Sequence, residues 1–541
     1  MNRRNFLGKA RILLSIPFIS IINACGGSAD ITTGTTADTD TAIDTLTIPP
    51  EVRPDGSNNI GLQANEGTTE FYSGVSSATK GFVDTNNSAG TSYLAPTIRV
   101  SNSNVNSTAN GTQMVDQGTQ SSGATNVNFT IVNNTTQTIT SHWHGLHVDG
   151  FFDGGPYNAI ATGGTWSPTL PIYQQAGLNW YHTHIHGSTA DDVYKGLAGL
   201  FIIDDDNSAA LDAAGLPSTY GIDDIPLIIQ DKKFVNQVMD VGNLGGRFAG
   251  DTFLVNGVVS PNRNVEAGLI RFRILNASNA RFYDLSITNN SITGSFQKIA
   301  TEGGFLAAPA TISSLSMGPG ERNEIVIDFS AYAVGDVVSL ESVDNENTGL
   351  VSFTIMTFTV TEQTLATSGN SVPATLNGNL ATDRTTLLAK IPNAYVAVDL
   401  KGGPNPFASS RDTGTTVATV DIPFTMATAN FVSTSTQSIA NYTEQWTITG
   451  ARHPFHLHGC HAMIKSIGGD TNVPAELQGW KDVFKVDNGS DVVFMVQFDE
   501  KARALGTAHT DPGAGSNFMY MMHCHILGHE DAGMMGTFEV I

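Results

Sequence analysis

The chain has 541 residues, with 27 Lys and Arg against 50 Asp and Glu and a formal charge of -23; that length predicts about three or four domains rather than one. The acidic balance excludes a nucleic-acid partner, because nothing here would neutralise phosphates, and it fits a soluble surface. Only 14% of residues are charged while Gly, Thr, Ser and Asn are plentiful, a composition that suits short strands and turns better than long helices.

Arg3-Arg4 is followed by Phe6-Leu7, Lys9 and the apolar run Ile12 to Ile22. A twin arginine ahead of an apolar stretch resembles the signal that exports folded proteins. The run is short for a bilayer span, and Pro17 interrupts it. Ile22-Asn23-Ala24-Cys25 resembles a bacterial lipoprotein box, with Asn23 an odd occupant; the rival is cleavage after Ala29, which discards Cys25. Export is therefore expected, either to the periplasm or to a lipid anchor at Cys25 on the outer side of the cytoplasmic membrane. Residues 1–25 are assigned to the signal. Residues 26–65, rich in Thr, Asp, Gly, Ser and Asn with Pro49-Pro50 and Pro54, read as a flexible tether.

Short alternating runs follow. Ile270, Phe272 and Ile274 alternate with Arg271 and Arg273, which predicts one buried and one wet face. Asn128 to Val132 and Val492 to Phe498 read similarly. Turns such as Asp153-Gly154-Gly155-Pro156 and Gly318-Pro319-Gly320 separate such runs. The expected fold class is all-β, built from antiparallel Greek-key sandwiches. Three cysteines, Cys25, Cys460 and Cys524, are too few for a disulfide framework.

Histidine divides the chain by function. Of 14 His, six fall in 142–186, eight in 453–529, and none between Gly187 and Arg452. The middle third is expected to be a spacer without metal chemistry, and the two ends must meet if they share a site. The clusters are His142-Trp143-His144-Gly145, Trp180-Tyr181-His182-Thr183-His184, His453-Pro454-Phe455-His456-Leu457-His458-Gly459 and His523-Cys524-His525-Ile526-Leu527-Gly528-His529, with Met534-Met535 beyond. A His-x-His pair on a strand puts both rings on one face. One such pair is more often core or surface histidine; four, one of them split by a cysteine, point to metal. A thiolate, two imidazoles and a weak thioether make a blue-copper site, here Cys524, His453, His529 and Met534. Zinc is the rival, but structural zinc sites usually draw on more cysteines.

All four motifs resemble those of multicopper oxidases: laccases, bilirubin oxidases and bacterial cuprous oxidases. The likeness covers roughly residues 66 to 541 and includes Gln230-Asp231-Lys232-Lys233-Phe234, Leu254-Val255-Asn256-Gly257 and Ile274-Leu275-Asn276-Ala277-Ser278-Asn279. The resemblance implies three cupredoxin-like domains, at 66–210, 211–370 and 371–541, and four coppers. It implies that His453, Cys524 and His529 bind the type 1 copper with Met534 axial. His142 and His456 would hold the type 2 copper, and His144, His182, His184, His458, His523 and His525 the type 3 pair. His147, His186, His461 and His509 remain as surface or supporting histidines. The reaction implied is one-electron oxidation of a small-molecule or metal-ion reductant at Cys524, with transfer through His523 and His525 to reduce O2 to water. Its protons need nearby acids, for which Asp153 and Glu530 match family positions. Cys460 reads as a small buried hydrophobe. A monomer is expected.

Three functions compete. The favoured one is laccase-like oxidation of phenols or aromatic amines. The second is a metallo-oxidase of Cu(I), Mn(II) or Fe(II); the chain has 13 Met and lacks a methionine-rich insert, although Met519, Met521 and Met522 cluster before His523. The third is a copper-binding or division-associated protein without turnover, a kind of relative that loses copper ligands; here every one is present.

Overall fold

Alternating burial along the first long strand, Asn59–Tyr72, shows how the molecule is built: Ile60, Leu62 and Ala64 point inward while Asn59, Gly61, Gln63 and Asn65 do not. The computed structural model describes residues 45–86, 92–102, 125–148, 150–343, 346, 352–364, 367–401, 407–414, 417–420, 431–433, 443–497 and 519–540. The export signal, Cys25 and His509 lie outside these. The expected tether is corrected over residues 45–65. Glu51–Val52 pairs with Thr97–Asn102, and Asn59–Tyr72 pairs on both edges. Its polar residues are the outer half of a period-two pattern, and composition alone hid that pattern.

Three sandwiches follow one another. In the first, a sheet ordered Glu51–Val52, Thr97–Asn102, Ala198–Asp205, Gly177–His182, His142–His144 packs on one containing Val75–Asp84, Asn59–Tyr72 and Thr125–Asn133. In the second, a sheet centred on Asp224–Lys232, Leu269–Asn276 and Arg322–Asp328 packs on Ser352–Thr361, Val337–Val343 and Tyr283–Asn289. In the third, Ala394–Leu400, Thr443–Gly450 and Val492–Gln497 face Met535–Val540, Met519–Cys524, His453–Leu457 and Val483–Val486. The molecule is all-β in the cupredoxin manner, as expected. Among the described residues, no helix is long and apolar enough to cross a membrane.

Two alternation readings need correcting. Arg271 and Arg273 do not face water: they are 1% and 3% exposed. Glu324 and Asp224 pair with them, and Pro217, beyond the helix Asp206–Ala213, accepts from Arg271. Val492–Gln497 is buried along its whole length, because the helix Leu380–Leu388 contributes Leu380 and Leu387 to the same core. An apolar layer of Leu178, Trp180, Leu200 and Ile202 against Ile228, Leu254 and Leu275 joins the first and second sandwiches. Burial of this kind contributes about 25 cal/mol per Å² of apolar surface, so the sandwiches are docked rather than strung together.

Candidate metal centres

Strand register explains how one sequence motif serves two sites. Met519–Cys524 pairs with His453–Leu457 so that His523 lies opposite His456, and Cys524 opposite Phe455. Successive side chains point to opposite faces. Cys524 therefore enters the core of the third sandwich, while His523 turns toward the first. There His142–His144 pairs with Gly177–His182, setting His142 opposite His182.

The histidines of the two outer sandwiches interleave. The rings of His142 and His458 stack at 4.0 Å, and those of His144 and His456 at 3.6 Å. Nε2 of His523 lies 3.1 Å from Nε2 of His184 and 3.0 Å from Nε2 of His458. The ring of His525 is 5.0 Å from that of His144 and 5.7 Å from that of His182. All eight are at most 1% exposed. Burial, then neighbouring imidazoles, hold His182, His184 and His456 well below the ordinary histidine range, and burial brings His525 down to about 3. Neutral rings keep a lone pair free.

Second partners fix which nitrogen is free. Nδ1 of His142 donates to the Asp153 carbonyl at 2.8 Å, that of His182 to Thr183 at 2.7 Å and that of His456 to Asp482 at 2.9 Å. Nδ1 of His458 donates to the Asp153 carboxylate at 2.6 Å, and that of His523 to the Cys524 carbonyl at 3.1 Å. The Nε2 atoms of His142, His182 and His456, with both ring nitrogens of His144 and His525, have no hydrogen-bond partner. Buried orphans are costly. Imidazoles tied back through one nitrogen and bare at the other suit metal ions. Ligand atoms of His142, His456 and His458, of His142, His144 and His182, and of His184, His458 and His523 each lie within 4.8 Å of one another.

The second centre comprises His453, Cys524 and His529, again within 4.8 Å. Sγ of Cys524 is 3.9 Å from Nδ1 of His529 and accepts the Ile526 amide at 3.4 Å. Burial pushes the Cys524 thiol well up, so a thiolate here needs a cation beside it. Burial, together with Arg247, brings His453 and His529 down to about 4. Met534 packs in the core that holds Cys524, whereas Met535 packs with Met521 and Tyr157. His529 is partly exposed. Cys460 is 3% exposed in the same core and joins none of the metal-binding groups found among the described residues.

The short helix Leu527–Asp531 carries His529 and Glu530. The Glu530 oxygens lie 3.3 Å from Nδ1 of His184 and 3.3 Å from Nδ1 of His523. Burial, with Asp531 next to it, holds Glu530 well above the ordinary carboxylate range. Asp531 accepts the amides of Gly187, Thr189 and Ala190, clasping the third sandwich to the first. His147 and His461 are buried with ring centroids 4.3 Å apart, and His186 is exposed. Sequence reasoning missed Asp482, whose carboxylate lies 3.4 Å from Nε2 of His144 and 3.3 Å from Nε2 of His461. A charged pair, Lys481-Asp482, between Trp480 and Val483-Phe484 was the available signal.

Residues 97–208 and 399–541 match the sequence models of multicopper oxidases. The multicopper oxidase mco of Staphylococcus aureus is 32% identical over 502 residues, 92% of each chain. The chain belongs to the multicopper oxidase family. It is thus a copper-binding oxidoreductase. The cell division protein FtsP of Sodalis glossinidius is also similar, 33% identical over 451 residues and 83% of each chain. Among solved structures, the McoA multicopper oxidase of Aquifex aeolicus matches with a TM-score of 0.74 and 26% identity, over 92% of this chain and 99% of that one.

Proposed function

We propose that this multicopper oxidase is laccase-like: it oxidises phenols or aromatic amines one electron at a time and reduces O2 to water. The observation that carries the reading is the adjacency of the two centres. Cys524 stands between His523 and His525 in sequence, and strand alternation sends the sulfur to one centre and the imidazoles to the other. The residues fit four coppers: one on His453, Cys524 and His529 with Met534 axial, one on His142 and His456, and a pair on His144, His182, His184, His458, His523 and His525. When bound, these coppers supply a one-electron port at Cys524 and a four-electron sink for O2 at the histidine cluster.

The protein's own groups do the rest. The partly exposed His529 edge offers an organic donor an outer-sphere contact without a shaped catalytic pocket. The main chain of residues 523–525, with the hydrogen bond from His523 to the Cys524 carbonyl, links the two centres. Glu530, wedged against His184 and His523, holds a proton beside the site where O2 is reduced. Asp153 orients His142 and His458 together and keeps one carboxylate oxygen, Oδ1, without a partner.

Met521 and Met522 are 1% and 0% exposed, which favours organic donors over a cuprous oxidase that captures Cu(I) on surface thioethers. The likeness to a cell division protein supports a reading without turnover, against which stands the full ligand set. Steady-state kinetics of the copper-loaded protein with a phenol, Cu(I) and Mn(II) side by side separate these readings. The laccase reading expects the phenol to have the highest kcat/KM; a preference for a metal ion, or no turnover with any, contradicts it. Export as a monomer, to the periplasm or to a lipid anchor at Cys25, is proposed with it. Mass spectrometry of the mature N-terminus decides the anchor: a chain starting at Asp30 rejects it.

A further inference from the structure

The middle sandwich has no histidine, yet it reaches the cluster. Arg322, at the start of the strand Arg322–Asp328, is fully buried and touches both outer sandwiches. Its Nε donates to the Leu178 carbonyl at 2.9 Å, on the strand that carries His182. Its Nη1 and Nη2 donate to the two oxygens of Asp482, each at 2.6 Å. Nη1 also donates to Gly320 at 3.2 Å. Asp482 in turn faces His144 and His461 with its carboxylate and accepts from His456 through its carbonyl.

Two glycines make room for this arrangement. A Cβ on Gly145, where φ is +93°, would lie 2.5 Å from Nη2 of Arg322 and 2.8 Å from Oδ2 of Asp482. One on Gly320, where φ is +81°, would lie 2.7 Å from the ring of His525. Stability alone does not explain such a pair. Buried ion pairs are often replaceable by apolar residues at no loss, because desolvation offsets their attraction. A two-pronged guanidinium–carboxylate contact does supply fixed geometry.

We propose that Arg322 and Asp482 are positioning residues for the histidine cluster: the guanidinium of the middle sandwich holds Asp482, whose carbonyl accepts from His456 and whose carboxylate stands 3.4 Å from Nε2 of His144, and it locks the Gly177–His182 strand to Asp482. The assignment rests on the reading of these histidines as the oxygen-reducing copper cluster. It gives the middle sandwich a part in the site, where its sequence suggested a spacer.

The test uses the copper-loaded full chain carrying Arg322→Lys, which keeps the charge and loses the fork, or Asp482→Asn, which keeps the shape and loses the charge. The blue absorption and its electron paramagnetic resonance signal should remain, and anaerobic bleaching by a phenol should keep its wild-type rate. The non-blue copper signal should shift or weaken, and turnover with O2 should fall about 10- to 100-fold, the usual consequence of losing an outer partner of a metal ligand. If both variants keep wild-type non-blue signals, whatever their Tm, the assignment is overturned alone. A wild-type protein that loads only the blue copper overturns the cluster reading and this assignment with it. Should Arg322→Lys fail to fold, Asp482→Asn decides by the same signals.

Discussion

The two centres differ in what must fold before they exist. His453, Cys524, His529 and Met534 all belong to the third sandwich, and His529 is partly exposed. The eight-histidine cluster takes half its rings from the first sandwich and half from the third, and none is more than 1% exposed. Only docking creates it, through the Asp531 clasp, the Asp153–His458 hydrogen bond and Arg322. The contrast is one of position: the centre proposed to meet donors lies within one domain and carries a partly exposed histidine, whereas the centre proposed to handle O2 is sealed between domains.

The strongest way to break this comparison is Cys524→Ser. The blue absorption should vanish and oxidation of every donor should stop, because thiolate is the only soft anionic ligand at that centre; the non-blue signal of the interdomain cluster should survive. A serine variant that stays blue contradicts the ligand assignment. Glu530→Gln should do the converse. Removing its ionisable proton should slow O2 reduction about 10²- to 10⁴-fold while anaerobic bleaching stays fast, and the lag on admitting O2 should grow as pH rises. Stopped-flow traces that bleach slowly and re-oxidise normally would reject the proton role.

Two smaller effects sharpen the contrast. Met534→Leu should keep the blue copper and raise its potential, since an axial donor favours Cu(II) over Cu(I). A redox titration that shifts with Met535→Leu instead moves the axial role by one residue. In chelator-treated protein, His453 and His529 take protons at about 4 when folded and at about 6.5 when unfolded. The unfolded chain therefore binds more protons between those values, so stability is full above about pH 6.5 and declines as pH falls toward 4. Thermal melts across that window check the sign; a Tm that rises on acidification contradicts it.

The candidate ligands were legible because copper chemistry demands particular residue types at strand spacing, which His-x-His and His-Cys-His carry locally, and the structure gathers these motifs into two clusters. Asp153 and Glu530 were legible by their places beside those motifs, and the structure puts both against cluster histidines. Asp482 showed only as part of a charged pair in an apolar run, and its contact with Arg322 was not legible, since it joins residues 160 apart. Arg271 and Arg273 looked like a wet face because the sequence around them does not display their distant partners, Glu324 and Asp224. Residues 45–65 looked like a tether because polar composition masked Ile60, Leu62 and Ala64.

In the proposed reaction, electrons gathered singly at Cys524 are used together on O2 at the sealed cluster. The most direct measurement is the ratio of phenol oxidised to O2 consumed, with peroxide assayed in the same vessel. Four one-electron oxidations for each O2 and no hydrogen peroxide are expected. Two oxidations for each O2 with peroxide accumulating, or oxidation without O2 uptake, would contradict it.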